Sequence, residues 1–114
     1  MRVLVCGGRD YANRGKVFDT LDELDQKLRF TTLIHGGARG ADGLAAAWAY
    51  ARNVPCWRFP ARWREFGSAA GAARNQQMLE MGNPRLVVAF PGGRGTADMT
   101  RRAKAWNIEV VQVP

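Results

Sequence analysis

Long apolar runs are missing from this sequence. None approaches the roughly 20 residues that cross a bilayer as a helix. The opening Met1-Arg2-Val3-Leu4-Val5-Cys6 is too short for a signal peptide and reads as a buried strand. The expectation is a cytoplasmic protein with no membrane partner. Cysteine is scarce too: Cys6 and Cys56 are the whole supply, too few for a disulfide framework, and each lies in or beside an apolar run where a free thiol acts as a small hydrophobe. With a single histidine, His35, and no CxxC spacing, a structural zinc site is close to excluded, and neither metal nor cofactor is expected. Internal repeats and linker-like tracts are absent as well. The small-residue stretch 67–73 is too short to separate one domain from another, so residues 1–114 are expected to form a single domain.

What is abundant is positive charge. The formal net charge is +7, and fourteen of the seventeen basic residues are arginine. Arginine presents a planar fork that suits phosphate and carboxylate, where lysine is a point charge. The same excess attracts nucleic acid without sequence preference. An apolar fraction of 46% with eleven aromatic residues calls for a packed globule rather than a disordered chain.

Apolar β-branched runs alternate with helix-period segments along the whole chain. Val3–Cys6, Thr32–His35, Val54–Phe59 (broken by Pro55), Leu86–Phe90 and Ile108–Val113 read as strands. Between them, Val17, Leu21, Leu24 and Leu28 recur at helical spacing, Asp42 to about Arg52 is alanine-rich, Arg74–Met81 precedes the stop signal Gly82-Asn83-Pro84, and Met99, Ala103 and Trp106 mark a last helical face. Strands apolar on both faces and joined by helices imply a parallel sheet covered on both sides. The expected fold is therefore an α/β, Rossmann-like three-layer domain with five parallel strands, in the order 3-2-1-4-5 that right-handed crossovers produce. In that order the two cysteines lie two strands apart, roughly 9–10 Å, too far for a disulfide. Residues 59–71 break the rhythm as a connection longer than usual, carrying Arg62, Trp63, Arg64 and Phe66, of the kind that is functional or disordered in compact domains.

Three glycine motifs stand at three strand ends: Gly7-Gly8-Arg9-Asp10, Gly36-Gly37-Ala38-Arg39-Gly40-Ala41-Asp42, and Pro91-Gly92-Gly93-Arg94-Gly95-Thr96-Ala97-Asp98. All fall at the carboxyl edge of the predicted sheet, and strands 1 and 4 flank its topological switch point, where open α/β sheets bind ligands. Glycine lets backbone N–H groups approach an anion closely, and the helix that follows adds roughly half a positive charge at its start. Each motif also carries one arginine, Arg9, Arg39 or Arg94, able to fork a phosphate. Asp42 and Asp98 sit where helices begin and are read first as caps accepting from first-turn N–H groups, with a ribose contact or a general-base role as the alternative. His35, ahead of a glycine pair, reads as a buried, hydrogen-bonded imidazole. Arg74-Asn75 opens the helix before strand 4 and so starts at the same edge.

On these residues the chain resembles the SMF/DprA–LOG (SLOG) superfamily, and within it the small YspA-like proteins of bacteria and phages. Pro91-Gly92-Gly93-Arg94-Gly95-Thr96 matches the PGGxGT signature of the Lonely Guy phosphoribohydrolases, which release a nucleobase from a nucleoside monophosphate. Arg74 and Met78 match the arginine and methionine that those enzymes carry upstream, and Arg74-Asn75 also looks like the arginine-asparagine pair of the DNA-processing protein A branch. The Lonely Guy pattern continues to a glutamate, PGGxGTxxE, and Met99 stands in its place here. The resemblance implies a phosphate site at Gly7, Gly8, Arg9, Gly36, Gly37, Arg39, Arg74, Asn75 and Pro91–Thr96, with Arg74 and Asp98 the candidates for any catalysis. It implies binding or sensing of a nucleotide-derived small molecule. Two alternatives stand beside it: an N-glycosidase acting on nucleoside monophosphates with Asp98 or Asp10 as acid/base, and single-stranded DNA binding through the aromatic, basic segment 57–66. Related folds usually pair, so a homo-oligomer is expected, with Trp63 or Trp106 suited to its interface.

Overall fold

The computed structural model describes residues 1–114. Its elements run β1 (Arg2–Cys6), α1 (Arg14–Leu28), β2 (Thr32–His35), α2 (Ala41–Ala51), β3 (Cys56–Arg58), α3 (Trp63–Phe66), a 3-10 turn (Gly67–Ala69), α4 (Ala70–Gly82), β4 (Leu86–Ala89), α5 (Arg94–Ala105) and β5 (Glu109–Gln112). All five strands are parallel, in the order β3-β2-β1-β4-β5, which is the α/β Rossmann-like arrangement expected from the alternating pattern. No helix is long and apolar enough to cross a membrane.

The three central strands owe their unbroken apolar runs to helices on both faces. Along β1 the side chains alternate: Val3 and Val5 join α1 and α2 in one core, with Trp48 and Phe90, while Leu4 and Cys6 join α4 and α5 in the other, with Ile34, Met78 and Met99. Helix α1 starts at Asn13, whose side chain accepts from the Lys16 N–H at 3.0 Å, and stops where Arg29 turns left-handed. Its Val17 and Leu21 are fully buried, whereas Leu28, in the last turn, has run past the edge of the core and is exposed. Alanine in α2 brings that helix close to the sheet and leaves room for Trp48, which is 0% exposed. The Trp48 indole donates to Asp22 at 2.8 Å, and Arg52 forks the same carboxylate at 2.8 and 2.9 Å, fastening α2 to α1.

Several expectations are corrected. Helix α4 begins at Ala70, so Arg74 lies in its second turn rather than opening it. The Ala-rich run before Arg74 is strong helix former, and the proline-free segment 67–73 enters the helix through a 3-10 turn instead of forming a loop. The 59–71 connection is accordingly not a plain loop, because α3 sits inside it. The third strand is shorter than Val54–Phe59, and its Cys56, Trp57 and Arg58 are all exposed on the sheet edge, so Cys56 is no core hydrophobe. Pro55 brings no N–H to the ladder, although its carbonyl accepts from Leu33 at 2.8 Å. Both thiols are free; burial, reinforced by the Asp42 charge, pushes Cys6 up to about 12.

Trp48 ties both α1 and α2 to the sheet. Trp48→Ala is expected to lower the free energy of unfolding by about 3–5 kcal/mol, measured as a drop in the urea midpoint with an unchanged slope.

Candidate functional site

The carboxyl ends of β1, β2 and β4 release the chain into the three glycine loops, and these loops pack on one another. The Gly8 N–H donates to the Pro91 carbonyl at 2.9 Å, and the Gly8 carbonyl accepts from Ala41 at 3.1 Å and from Tyr11 at 3.2 Å. A β-carbon at position 92 would sit 2.6 Å from the Gly8 nitrogen and 2.9 Å from the Gly7 carbonyl carbon, so only glycine fits there. Gly40, at φ +75°, lies against the carbonyls of Gly8 and Arg9, and any side chain there would collide with backbone. Gly93 and Gly95 differ: a β-carbon on either meets nothing within 4 Å. The backbone from Pro91 to Gly95 is exposed, and α5 begins at Gly93 with no side chain capping its first turn. Its first amides therefore face solvent with the positive end of the helix behind them. A cleft of about 270 Å³ runs beside this loop, walled by Pro91, Gly92, Gly93 and Thr96 and, from β5, by Gln112 and Val113.

Arg74 reaches the same edge from α4. Its Nη1 donates to the Gly36 carbonyl at 2.9 Å and its Nε to Asn75 at 3.2 Å. Burial, opposed by the Asp42 charge and assisted by that of Arg9, holds its guanidinium somewhat below its usual value, deep in the range where it remains charged. Contact with the third loop is made by its neighbour: Asn75 donates to the Gly95 carbonyl at 3.1 Å and to Asp98 at 3.0 Å. Thus Arg74 stands at the junction of the first two loops, and Asn75 pins α4 to the first turns of α5.

The carboxylates are arranged differently from the expectation of helix caps. Asp42, nearly buried, reaches back to accept from Gly36 at 3.1 Å and from Ala38 at 3.2 Å, so it shapes the second loop; the cap of α2 is Gly40, without a side-chain bond. Burial raises its pKa against the pull of those N–H groups and of Arg74. Asp98 is the fifth residue of α5 and lies among Asn75, Arg102 and Arg101, with Arg102 Nε at 2.9 Å. Burial pushes it up, but the bonds from Asn75 and Arg102 and the charges of both arginines outweigh that and hold it below 3.8. Asp10 is displayed to solvent and meets Arg39 at 3.1 Å. Met99 is completely buried, in the core against α4. His35 is a buried imidazole whose Nδ1 accepts from Gly37 at 3.0 Å, and burial followed by the Arg58 charge lowers its pKa.

Some of the surroundings had no signal in the motifs. Arg58, the last residue of β3, lies along Gly37, whose φ of +74° is what favours glycine there. Arg101 and Arg102, one helical turn beyond Asp98, look like solvated surface in sequence; only their spacing of three and four residues hints at the pairing. Arg9 lies over the Trp63 ring, 5.8 Å from its centroid, and so joins the first loop to α3. Arg94 is exposed at the first position of α5.

Against this geometry, comparison with known proteins is direct. The chain belongs to the YspA, cpYpsA-related SLOG family (YAcAr), whose profile matches residues 1–66. That span includes the first two glycine loops; Arg74 and the third loop lie beyond it. Over nearly its whole length the chain is similar to the Gene 61 protein of Mycobacterium phage D29, at 38% identity over 118 residues, covering 96% of this chain and 94% of that protein. Among solved structures, the phosphoribosylglycinamide formyltransferase (purN) of Coxiella burnetii in complex with CHES aligns with a TM-score of 0.49 and 15% identity, over 82% of this chain and 42% of that one.

The pairing of Asp98 has a pH signature. Because its folded pKa lies below its unfolded value of 3.8, the stability it contributes is fully present above that pH and is lost as pH falls through the folded value. Asp98→Asn is therefore expected to be less stable than the parent at pH 7, with the gap closing on acidification below 3.8; denaturant midpoints measured at several pH values check this.

Proposed function

We propose that the carboxyl edge of the sheet binds the phosphate of a nucleotide-derived small molecule, and that the protein works as a binding or sensing domain. The observation that carries this reading is the exposed, uncapped start of α5 at Gly93–Thr96, set beside the Gly8–Pro91 contact, carrying Arg94 and tied by Asn75 to the helix that holds Arg74. Backbone amides, helix dipole and guanidinium groups there all favour one kind of guest, an anion with several oxygens. Gly7, Gly8, Gly36, Gly37 and Gly92 shape the loops; Gly93, Gly95 and Thr96 present the amides; Arg9, Arg39 and Asn75 complete the rim. SLOG membership and the likeness of the third loop to the Lonely Guy signature support a nucleotide as the carrier of the phosphate.

Binding is favoured over glycosidic hydrolysis because no carboxylate is poised at the cradle. The position of the Lonely Guy glutamate is Met99 and faces the core, Asp98 is held by two arginines and an amide, and Asp10 sits in solvent against Arg39. A general acid for departure of the base needs a raised pKa and an unengaged proton position. Asp42 has the raised pKa, but its Oδ2 accepts from two loop amides.

Gly93→Val is expected to abolish binding of nucleoside monophosphates while leaving the unfolding midpoint close to the parent, since the added side chain fills only the ligand's space. Gly92→Ala should instead lower the midpoint, because its methyl group meets Gly8 and Thr96. Arg74→Ala should weaken nucleotide binding by about 1.5–3 kcal/mol, the range for a hydrogen bond to a charged group. Calorimetric titration of the three variants checks these outcomes, and undiminished affinity in Gly93→Val would refute the cradle. Chromatography of each common nucleoside monophosphate after incubation with the protein should show no appreciable free base.

A further inference from the structure

Helix α4 carries a second cleft on the side facing α3. It has a volume of about 130 Å³ and is bounded by Pro60, Phe66, Ala70, Ala73, Gln77 and the arginine pair Arg62 and Arg74. The volume is close to that of an engineered cavity of roughly 150 Å³ that accepts benzene, so it takes one aromatic ring and little more. Its walls are chemically selective. Phe66, 49% exposed with no aromatic partner, offers a free ring face. Ala73 provides a small apolar floor, with Ala70 buried beneath it. Arg62 and Arg74 supply flat cations that stack on aromatic planes. Gln77 brings a carboxamide, a donor and an acceptor side by side; its only bond is a long one from its nitrogen to the Met81 sulfur, at 3.5 Å.

Arg74 is common to this cleft and to the glycine loops. It lines the ring-sized space, and the same side chain donates to Gly36. One residue on, Asn75 fixes the helix to Gly95 at the start of α5. Along α4 the cleft at Arg74 is thus one residue from Asn75, the side chain that meets the phosphate cradle at Gly95. Glutamine recognises heterocycles that present a donor and an acceptor on one edge, which is the pattern of a nucleobase rather than of a sugar or an aliphatic acid.

We infer that the cleft between α3 and α4 is the subsite for the base of the bound nucleotide, with Phe66 stacking on the ring, Gln77 reading its edge and Arg74 bridging base and phosphate. The inference rests on the phosphate reading above and adds the aromatic part of the ligand. The segment 59–71 is then the specificity element of the site, and the half-exposed Phe66 is kept at the surface by its use.

The test is calorimetric titration of the full chain with four nucleoside monophosphates, with ribose 5-phosphate and with a thymidine oligonucleotide. At least one monophosphate should bind about tenfold more tightly than ribose 5-phosphate, the scale of one base stacked on an aromatic side chain. Phe66→Ala and, separately, Gln77→Ala should remove that advantage while leaving ribose 5-phosphate affinity unchanged. Phe66 is half-exposed and Gln77 lies on a helix surface, so both variants fold, with circular dichroism as the control. If ribose 5-phosphate binds and every nucleotide binds no better, the base subsite is wrong and the phosphate cradle stands. Equal weakening of both ligands by Phe66→Ala also overturns the subsite. If neither ligand binds the parent protein, the cradle reading falls and takes the subsite with it. An oligonucleotide that outbinds every mononucleotide, and loses its affinity in Phe66→Ala, would assign the cleft to single-stranded DNA instead.

Discussion

The close approach of the loops after β1 and β4 organises this carboxyl edge. Adjacent parallel strands lie about 4.8 Å apart, and their loops must leave toward opposite faces of the sheet at the switch point. In this chain they touch before diverging, through the Gly8 N–H on the Pro91 carbonyl at 2.9 Å and the bare α-carbon of Gly92 against Gly7 and Gly8. The contact fixes where α5 begins and how its first amides are aimed. The Gly8 carbonyl then accepts from Ala41, and Gly40 lies beneath Gly8 and Arg9, so the start of α2 is set by the same strand end. Both helix starts are coordinated by one piece of extended backbone, without a metal ligand or a disulfide between them.

Charge follows from that geometry. The edge holds Arg9, Arg39, Arg58, Arg74 and Arg94, while its acidic groups are committed elsewhere: Asp42 to the amides of Gly36 and Ala38, Asp98 to Asn75 and the arginines of α5, Asp10 to Arg39. What remains free is donor capacity. Such a surface is rich in N–H donors and has little with which to move a proton, which is why the proposed role is binding rather than cleavage. The Met99 side chain, completely buried between α4 and α5, belongs to the core rather than to this edge.

The periodicities of the sequence and its glycine positions carried the architecture. Unbroken apolar runs at β1, β2 and β4, separated by helical spacing such as Val17–Leu21, specify a parallel sheet covered on both faces, and handedness then leaves the order 3-2-1-4-5. These are local signals with strong geometric consequences, so length and residue type suffice to read them. The placement of three glycine loops at one edge follows from the same reasoning, as does the separation of Cys6 from Cys56.

The roles of individual polar side chains were decided only by the tertiary structure. Asp42 and Asp98 occupy positions that suit helix caps, yet Asp42 turns back to the amides of Gly36 and Ala38, and Asp98 to Asn75 of α4 and to Arg101 and Arg102 one turn further along its own helix. Likewise, the helix-forming alanines before Arg74 are interrupted by Gly67 and Gly71, and only the packing of α3 and the 3-10 turn shows that they join α4, moving Arg74 into the second turn and leaving a ring-sized cleft beside Phe66. Main-chain periodicity is set by neighbours in the chain and is legible there. Hydrogen-bond partners and cavities are set by neighbours in space, and no spacing along this sequence encodes that Arg39 meets Asp10 or that Arg52 meets Asp22.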